Sequence, residues 1–364
     1  MIGLLCRTDS IGSKVAIFVF VTVFGCVGCE RIDAQQSAES QPIDTSKTLT
    51  KIVFGSCAHQ DRKQPIWEPI VAEKPDVFLF TGDNIYGDTE DMAVMREKYA
   101  KLAAKPGYQK LLATCPILAV WDDHDYGVND GGAEYPKRAE SEAVFHEFFK
   151  TPKDAPTRSW PGTYDSDLFG PEGKRVHIIR LDTRYFRSEL KKLPSRAPEG
   201  PYDRQLDASA TVLGDAQWKW LGEQLEVPAD LRIIVSSIQV IPDQHRWELW
   251  ENMPSERKRL FELIGEKQAN NIVFVSGDRH MAEICELKTD ADLSPGFPLF
   301  EITSSGLTNA GGGQKGEPNR HRVSETNFQS RNYGVMRIDW KKRVVDLEIR
   351  DVDGKLVFDI PVTL

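Results

Sequence analysis

The chain lacks what would make it a disulfide scaffold, a general nucleic-acid binder or an integral membrane protein. It has six cysteines in 364 residues: Cys6, Cys26, Cys29, Cys57, Cys115 and Cys285. They follow no regular spacing, so they build no disulfide framework, although a Cys115–Cys285 bridge stays open. Positive charge is in deficit, 46 Lys and Arg against 55 Asp and Glu, for a formal net charge of −9. That argues against nucleic acid as a partner. An acidic protein that handles phosphates must find positive charge locally, and metal ions supply it well. The apolar run near the N-terminus, residues 15–25, has eleven residues, short of a comfortable bilayer span. Internal repeats are absent. What remains, 40% hydrophobic and 28% charged residues, is the composition of an ordinary globular protein, long enough for one large domain or two medium ones.

The N-terminus reads as a leader. Arg7 and Lys14 come first, the apolar run follows, and Gly25-Cys26 and Gly28-Cys29 close it. This order predicts a signal peptide over residues 1–29. The Gly-Cys junctions resemble a bacterial lipoprotein signal, in which the cysteine is acylated. The expected location is secreted or periplasmic, with a membrane reached through an N-terminal lipid anchor. A plain signal peptide or an uncleaved anchor is the alternative. Residues 30–48 are rich in Gln, Ser, Asp and Thr without apolar periodicity and predict a polar tether. The folded domain is expected over 49–364.

Strands and helices alternate through most of that domain. Apolar runs predict strands over 51–54, 77–80, 117–121, 177–181, 231–236 and 272–276. Between them, helices are expected over 65–72, 92–105, 137–149, 214–225 and 254–267. After Glu283 the pattern changes. Strands over 300–303, 333–339, 344–351 and 355–362 follow without helices, the last two joined at Asp353-Gly354. The expectation is an α/β fold, a layered α/β/β/α sandwich whose C-terminal strands are antiparallel. Residues 306–322 carry five glycines and read as a long flexible loop, of a length that is usually functional or disordered.

Four chemical clusters sit just after predicted strands. They are Gly55-Ser56-Cys57, Gly82-Asp83-Asn84-Ile85-Tyr86, Trp121-Asp122-Asp123-His124-Asp125 and Ser276-Gly277-Asp278-Arg279-His280. Ligands of open α/β sheets bind outside the carboxyl ends of strands. Singly, each cluster reads as a turn, a cap or core packing. Together they place thiol, phenol, imidazole and several carboxyls at equivalent positions, and buried acids are costly unless cations compensate. Thiolate and imidazole suit transition metals, and carboxylates suit hard cations. Two cations about 3.5–4 Å apart, joined by a bridging carboxylate, are the usual means of hydrolysing a phosphate ester.

These four motifs, in this order, resemble the alkaline phosphatase D (PhoD-like) family of calcineurin-like metallophosphatases. Leu181-Asp182-Thr183-Arg184 and Ser236-Ser237-Ile238-Gln239-Val240 resemble further family segments. The resemblance covers roughly residues 52–303, and the family's long N-terminal domain is reduced here to the tether. In ordinary calcineurin-like phosphatases, histidines replace Cys57 and Asp278. The resemblance implies the four-layer sandwich of metallophosphoesterases and hydrolysis of phosphate mono- or diesters by metal-activated hydroxide. It implies Fe(III) held by Cys57, Asp83, Tyr86 and His280, with Asp83 bridging to a divalent cation, Ca(II) or another, held by Asp123 and Asp278. Gln239, Gln244 or His245 would supply a further ligand. His124 would be the acid for the leaving oxygen, oriented by Asp125 or Asp122. Arg184, and Arg187 beside it, would contact phosphate, with Gln239 a second substrate contact; an Asp182–Arg184 structural pair is the alternative. Arg279 reads as packing. The expected partner is a phosphate-ester substrate, and the expected state is a monomer. Two other functions stay open: a phospholipase D-like phosphodiesterase acting on lipids or cell-wall polymers, and a non-catalytic metal- or phosphate-binding surface lipoprotein.

Overall fold

A computed structural model describes residues 40–312 and 315–364. The leader with Cys26 and Cys29, the first part of the tether, and Gly313 and Gln314 lie outside the described residues. Among the described residues, no helix is long and apolar enough to cross a membrane.

Two six-stranded mixed sheets carry the domain. The first contains the parallel strands β1 (Lys51–Gly55), β2 (Val77–Thr81) and β3 (Ile117–Val120). In the second, β4 (Asp165–Phe169) pairs antiparallel with β5 (Val176–Arg180). A small separate hairpin, β6 (Lys192–Ala197) and β7 (Gly200–Tyr202), follows. Then β8 (Leu231–Val235), β9 (Ile272–Ser276), β10 (Ala282–Leu287) and β11 (Leu299–Ser304) complete the second sheet, in the order β10-β11-β9-β8-β5-β4. The chain returns to the first sheet through β12 (Asn332–Asp339), β13 (Val344–Asp351) and β14 (Leu356–Thr363), giving β14-β13-β12-β1-β2-β3. These last three strands pair antiparallel with one another, and β12 pairs antiparallel with β1.

The apolar runs explain this arrangement. Every residue of β2 is buried. Val77 and Leu79 join a cluster with Ile178, Ile233 and Val275 of the second sheet. Their neighbours Phe78 and Phe80 pack the other way, against Trp67, Tyr108 and Phe145. A strand buried on both faces loses the polar alternation of a half-exposed one. Trp67, Tyr108 and Phe145 lie on α1 (Trp67–Ala72), α3 (Pro106–Thr114) and α5 (Arg138–Phe148), with α2 (Met92–Ala103) and the short α4 (Asp123–Tyr126) between them in sequence. The outer face of the second sheet packs in a third cluster with Trp218, Leu221, Leu260 and Ile264, from α6 (Gly214–Leu225) and α7 (Pro254–Glu266).

Several expectations need correction. The helix expected over 92–105 stops at Ala103, and Pro106 opens a separate helix; proline lacks the donor that a helix interior needs and suits a first turn. Edge strands β4 and β10 were not legible. Asp165-Ser166-Asp167 and the glutamates of β10 break the apolar pattern, yet an edge strand needs only one backbone partner. Cys115 and Cys285 are free thiols in different core clusters, so the open bridge does not form. The tether does not run free to residue 48: Gln41 N–H donates to Leu112 O, Gly170 N–H donates to Thr45 O, and Lys47 pairs with Asp76. A polar segment can be laid onto a domain by its backbone without any apolar signal.

Candidate metal centre

The parallel strands of both sheets deliver their carboxyl ends to one place. A backbone hydrogen bond joins the two sets of loops, Ser56 N–H to Ser304 O at 3.2 Å, and others tie neighbouring loops within each set, Ala58 N–H to Asp83 O at 2.9 Å and Gly277 N–H to Ser237 O at 2.9 Å. The glycines of two motifs make this approach possible. A Cβ on Gly82, at φ +99°, would lie 2.5 Å from Cβ of Asp122 and 3.1 Å from Cβ of Ser237, which follows β8 of the second sheet, and one on Gly277 would lie 2.6 Å from both Ser56 Oγ and Thr81 O of the first. Gly-Asp therefore recurs after β2 and β9 because each aspartate is carried on a loop that touches the opposite sheet.

Three overlapping groups of donors result. Ligand atoms of Cys57, Asp83 and His280 lie within 4.8 Å of one another, as do those of Asp83, Asp123 and His124, and those of Asp122, Asp123 and Asp278. Cys57 Sγ is 3.3 Å from Asp83 Oδ2, and the Tyr86 hydroxyl is 2.9 Å from His280 Nε2. All six residues expected to hold cations therefore converge, with Asp83 shared between two groups. Cys57, Asp83, Asp278 and His280 have left-handed backbones, with φ of 64°, 49°, 65° and 54°. Such conformations cost non-glycine residues of order 1–3 kcal/mol each and cluster where function requires them.

The donors fit a pair of cations. Asp83 Oδ1 and Asp123 Oδ1 are buried with no hydrogen-bond partner. Burial, Cys57 and Asp123 push the Asp83 carboxyl well above its ordinary range; burial, Asp122 and Asp123 do the same to Asp278. Burial pushes the Cys57 thiol up to about 12 and His280 down to about 4. Cys57, Asp83 and Asp278 are thereby held protonated, a state that a nearby cation would reverse, whereas His280 is held neutral, the form that binds a cation. Sulfur, phenol and imidazole gather on the Cys57 side and carboxylates on the Asp278 side, which matches one softer and one harder cation.

His124 stands beside the carboxylates. Burial lowers its pKa, but Asp83, Asp123 and Asp88 outweigh burial and raise it to about 11. Its Nδ1 is 2.7 Å from Asp88 Oδ1, which leaves Nε2 as the nitrogen open to a ligand. The expectation that Asp125 or Asp122 orients it is corrected. Asp125 accepts from Asp122 N–H at 2.7 Å and Asn84 Nδ2 at 2.5 Å, so it ties two loops together, while Asp122 is held by Arg184.

Arg184 and Gln239 do not face a substrate. Arg184 is fully buried, with Nε 2.6 Å from Asp122 Oδ1 and Nη1 2.7 Å from Glu248. Its backbone N–H donates to Asp182, so the side chain pairs elsewhere than the structural alternative supposed. Arg187 pairs with the same Glu248. Gln239 donates to Glu283 and Thr303 and faces His245 Nε2. Gln244 accepts from Arg320 N–H, and among the described residues His245 joins none of the donor groups. Arg279 pairs with Glu317 at 2.8 Å. Residues overlooked in the sequence include Asp88, Ser305 and Asn309. The Ser305 hydroxyl lies 3.1 Å from Cys57 Sγ and accepts His280 N–H, and Asn309 favours the ionised Tyr86 phenol against the burial that raises its pKa. Asp88 follows the Gly82–Tyr86 motif by two residues; Asn309 lies in the glycine-rich loop over 306–322 and Ser305 just before it, where no residue pattern marks either as a support.

Comparison with known proteins agrees with this geometry. The chain is 22% identical over 319 residues to alkaline phosphatase D of Bacillus subtilis (strain 168), an alignment covering 75% of this chain and 53% of that protein. The chain thus spans about half the length of this curated relative. A solved structure of PhoD superposes with a TM-score of 0.67 at 18% identity, over 88% of this chain and 70% of that one. A dimetal phosphatase from Danio rerio gives 0.53 at 12% identity, over 87% and 99%. Both share the fold. The family model for PhoD-like phosphatase matches residues 52–349, most of the described domain, and the chain belongs to that family.

Proposed function

We propose that this chain is a two-cation phosphoesterase hydrolysing phosphate mono- or diesters on the frame of a metallophosphoesterase α/β/β/α sandwich. The observation that carries the reading is the sharing of Asp83 and Asp123 between overlapping donor groups in a buried pocket, the arrangement that two adjacent cations require. Cys57, Asp83, Tyr86 and His280 would hold Fe(III), and Asp83, Asp123 and Asp278 a divalent cation such as Ca(II). When bound, such a pair neutralises phosphoryl oxygens and provides a nucleophilic water at neutral pH. The protein's own groups do the rest. Asp83 and Asp123 fix the spacing, Ser305 steadies Cys57 and His280, and Asp88 turns His124 so that Nε2 can protonate the leaving oxygen.

The test uses full-length protein purified without chelators. It is expected to hydrolyse p-nitrophenyl phosphate or bis(p-nitrophenyl) phosphate, to lose activity in EDTA, and to show a visible absorption band. Phenolate and thiolate donors give such a band with Fe(III) but not with Zn(II), Mg(II) or Ca(II), and Tyr86→Phe should bleach or shift it. Inactivity on both esters with metals restored overturns the phosphoesterase reading; an active, colourless, iron-free protein overturns only the iron.

The leader supports a second proposal, attachment to a membrane from outside the cytoplasm through acylated Cys26 or Cys29. Changing both cysteines to Ser should move the protein from the membrane to the soluble fraction. An unchanged distribution would leave a plain secreted or otherwise anchored form.

A further inference from the structure

Asp122 is not among the six donors assigned above, yet it is completely buried beside them. Its Oδ1 accepts from Arg184 Nε at 2.6 Å, from Arg184 Nη2 and from the Ser237 hydroxyl at 2.6 Å. The Thr183 hydroxyl meets the Ser237 hydroxyl at 2.5 Å. Oδ2, by contrast, has no partner. A buried carboxylate oxygen left bare is costly, and the surroundings hold an explanation. One ligand atom each from Asp122, Asp123 and Asp278 lie within 4.8 Å of one another.

We infer that Asp122 is a further ligand of the divalent cation held by Asp123 and Asp278, and that Arg184 is the positioning residue that presents it. This rests on the two-cation reading above. Arg184 fills Oδ1 from behind and leaves Oδ2 to the cation. Its own position is set by Glu248, which Arg184 Nη1 meets at 2.7 Å and Arg187 Nε at 2.9 Å. Asp122, Asp123 and Glu248 flank the guanidinium of Arg184, and Arg187 shares Glu248. A planar guanidinium suits this place because its donors span Asp122 and Glu248 at once, which a lysine cannot do. A merely structural Asp122–Arg184 pair would explain Oδ1 and leave Oδ2 without a purpose.

The experiment titrates EDTA-stripped, full-length protein with Mn²⁺, reading free Mn²⁺ by electron paramagnetic resonance and checking each variant's fold by circular dichroism. Wild type is expected to bind two Mn²⁺. Asp122→Asn should weaken one of them by roughly 10–100-fold and leave the other unchanged, and Arg184→Lys should weaken the same one, in the range seen when groups supporting a ligand are altered. Asp122→Asn conserves volume, so it decides the matter if Arg184→Lys fails to fold. Two Mn²⁺ bound with wild-type affinities in Asp122→Asn, or both weakened equally, overturns the assignment while the two-cation reading stands. Wild type that binds fewer than two Mn²⁺ overturns both.

Discussion

Asp83→Ala is expected to lower turnover by about 10³-fold or more and to deplete both cations together. A bound cation contributes several kcal/mol of transition-state charge stabilisation, and each 1.36 kcal/mol is tenfold in rate. Asp83 is the carboxylate common to the Cys57 group and the Asp123 group, so its removal opens both. Alanine adds a second defect, since φ at this position is 49°, a left-handed conformation that alanine tolerates less well than Asp or Asn. Asp83→Asn keeps the backbone preference and isolates the charge. Without metal, that charge is a liability. Burial, Cys57 and Asp123 raise the carboxyl well above its unfolded value of 3.8, so the folded state loses stability as pH rises through the interval between the unfolded and folded values. In EDTA at pH 8, Asp83→Asn should therefore melt above wild type. With saturating cations the order should reverse, because ligand binding stabilises only the protein that binds. Elemental analysis of the purified variants checks the first expectation and calorimetry with and without EDTA the second. Wild-type contents of both cations in Asp83→Ala would show that Asp83 bridges nothing.

The sequence carried the donors more clearly than it carried what holds them. Cys57, Asp83, Asp123 and Asp278 were legible because each follows a parallel strand, and an apolar run ending in a polar cluster is a local pattern. Tyr86 and His280 followed from the same motifs. The supports were not legible, since they come from distant segments. Arg184 is 62 residues from its partner Asp122, and Ser305 is 248 residues from Cys57; nothing in a linear pattern pairs them. From its place after a strand end, Arg184 could equally contact phosphate or pair with nearby Asp182. Burial of its guanidinium required knowing that Glu248 and Asp122 surround it. In the fold, the buried strands were readable from their apolar runs. Edge strands β4 and β10 were not, because one backbone neighbour suffices to hold them.

His124→Ala should slow turnover by roughly 10²–10⁴-fold, the usual range for a lost general acid, while retaining cations. This separates it from Asp83. His124 belongs to a donor group geometrically, so a ligand role is the competing account. Both roles would use Nε2, so they differ in whether that nitrogen carries a proton. Nδ1 is committed to Asp88 at 2.7 Å, a contact that fixes the ring and favours its protonated form through the carboxylate's charge. A protonated imidazole cannot bind a cation, and it is the form that can hand a proton to an alkoxide leaving group. The account makes a further demand on substrates. Esters with an acidic leaving group, such as p-nitrophenol, need little protonation, so His124→Ala should harm them less than alkyl esters. Asp88→Asn, which weakens the hold on Nδ1 and removes the charge, should show the same dependence on leaving group with a smaller loss. If His124→Ala instead depletes one cation and slows both kinds of ester equally, His124 is a ligand, and the proton for the leaving oxygen must come from elsewhere in the site.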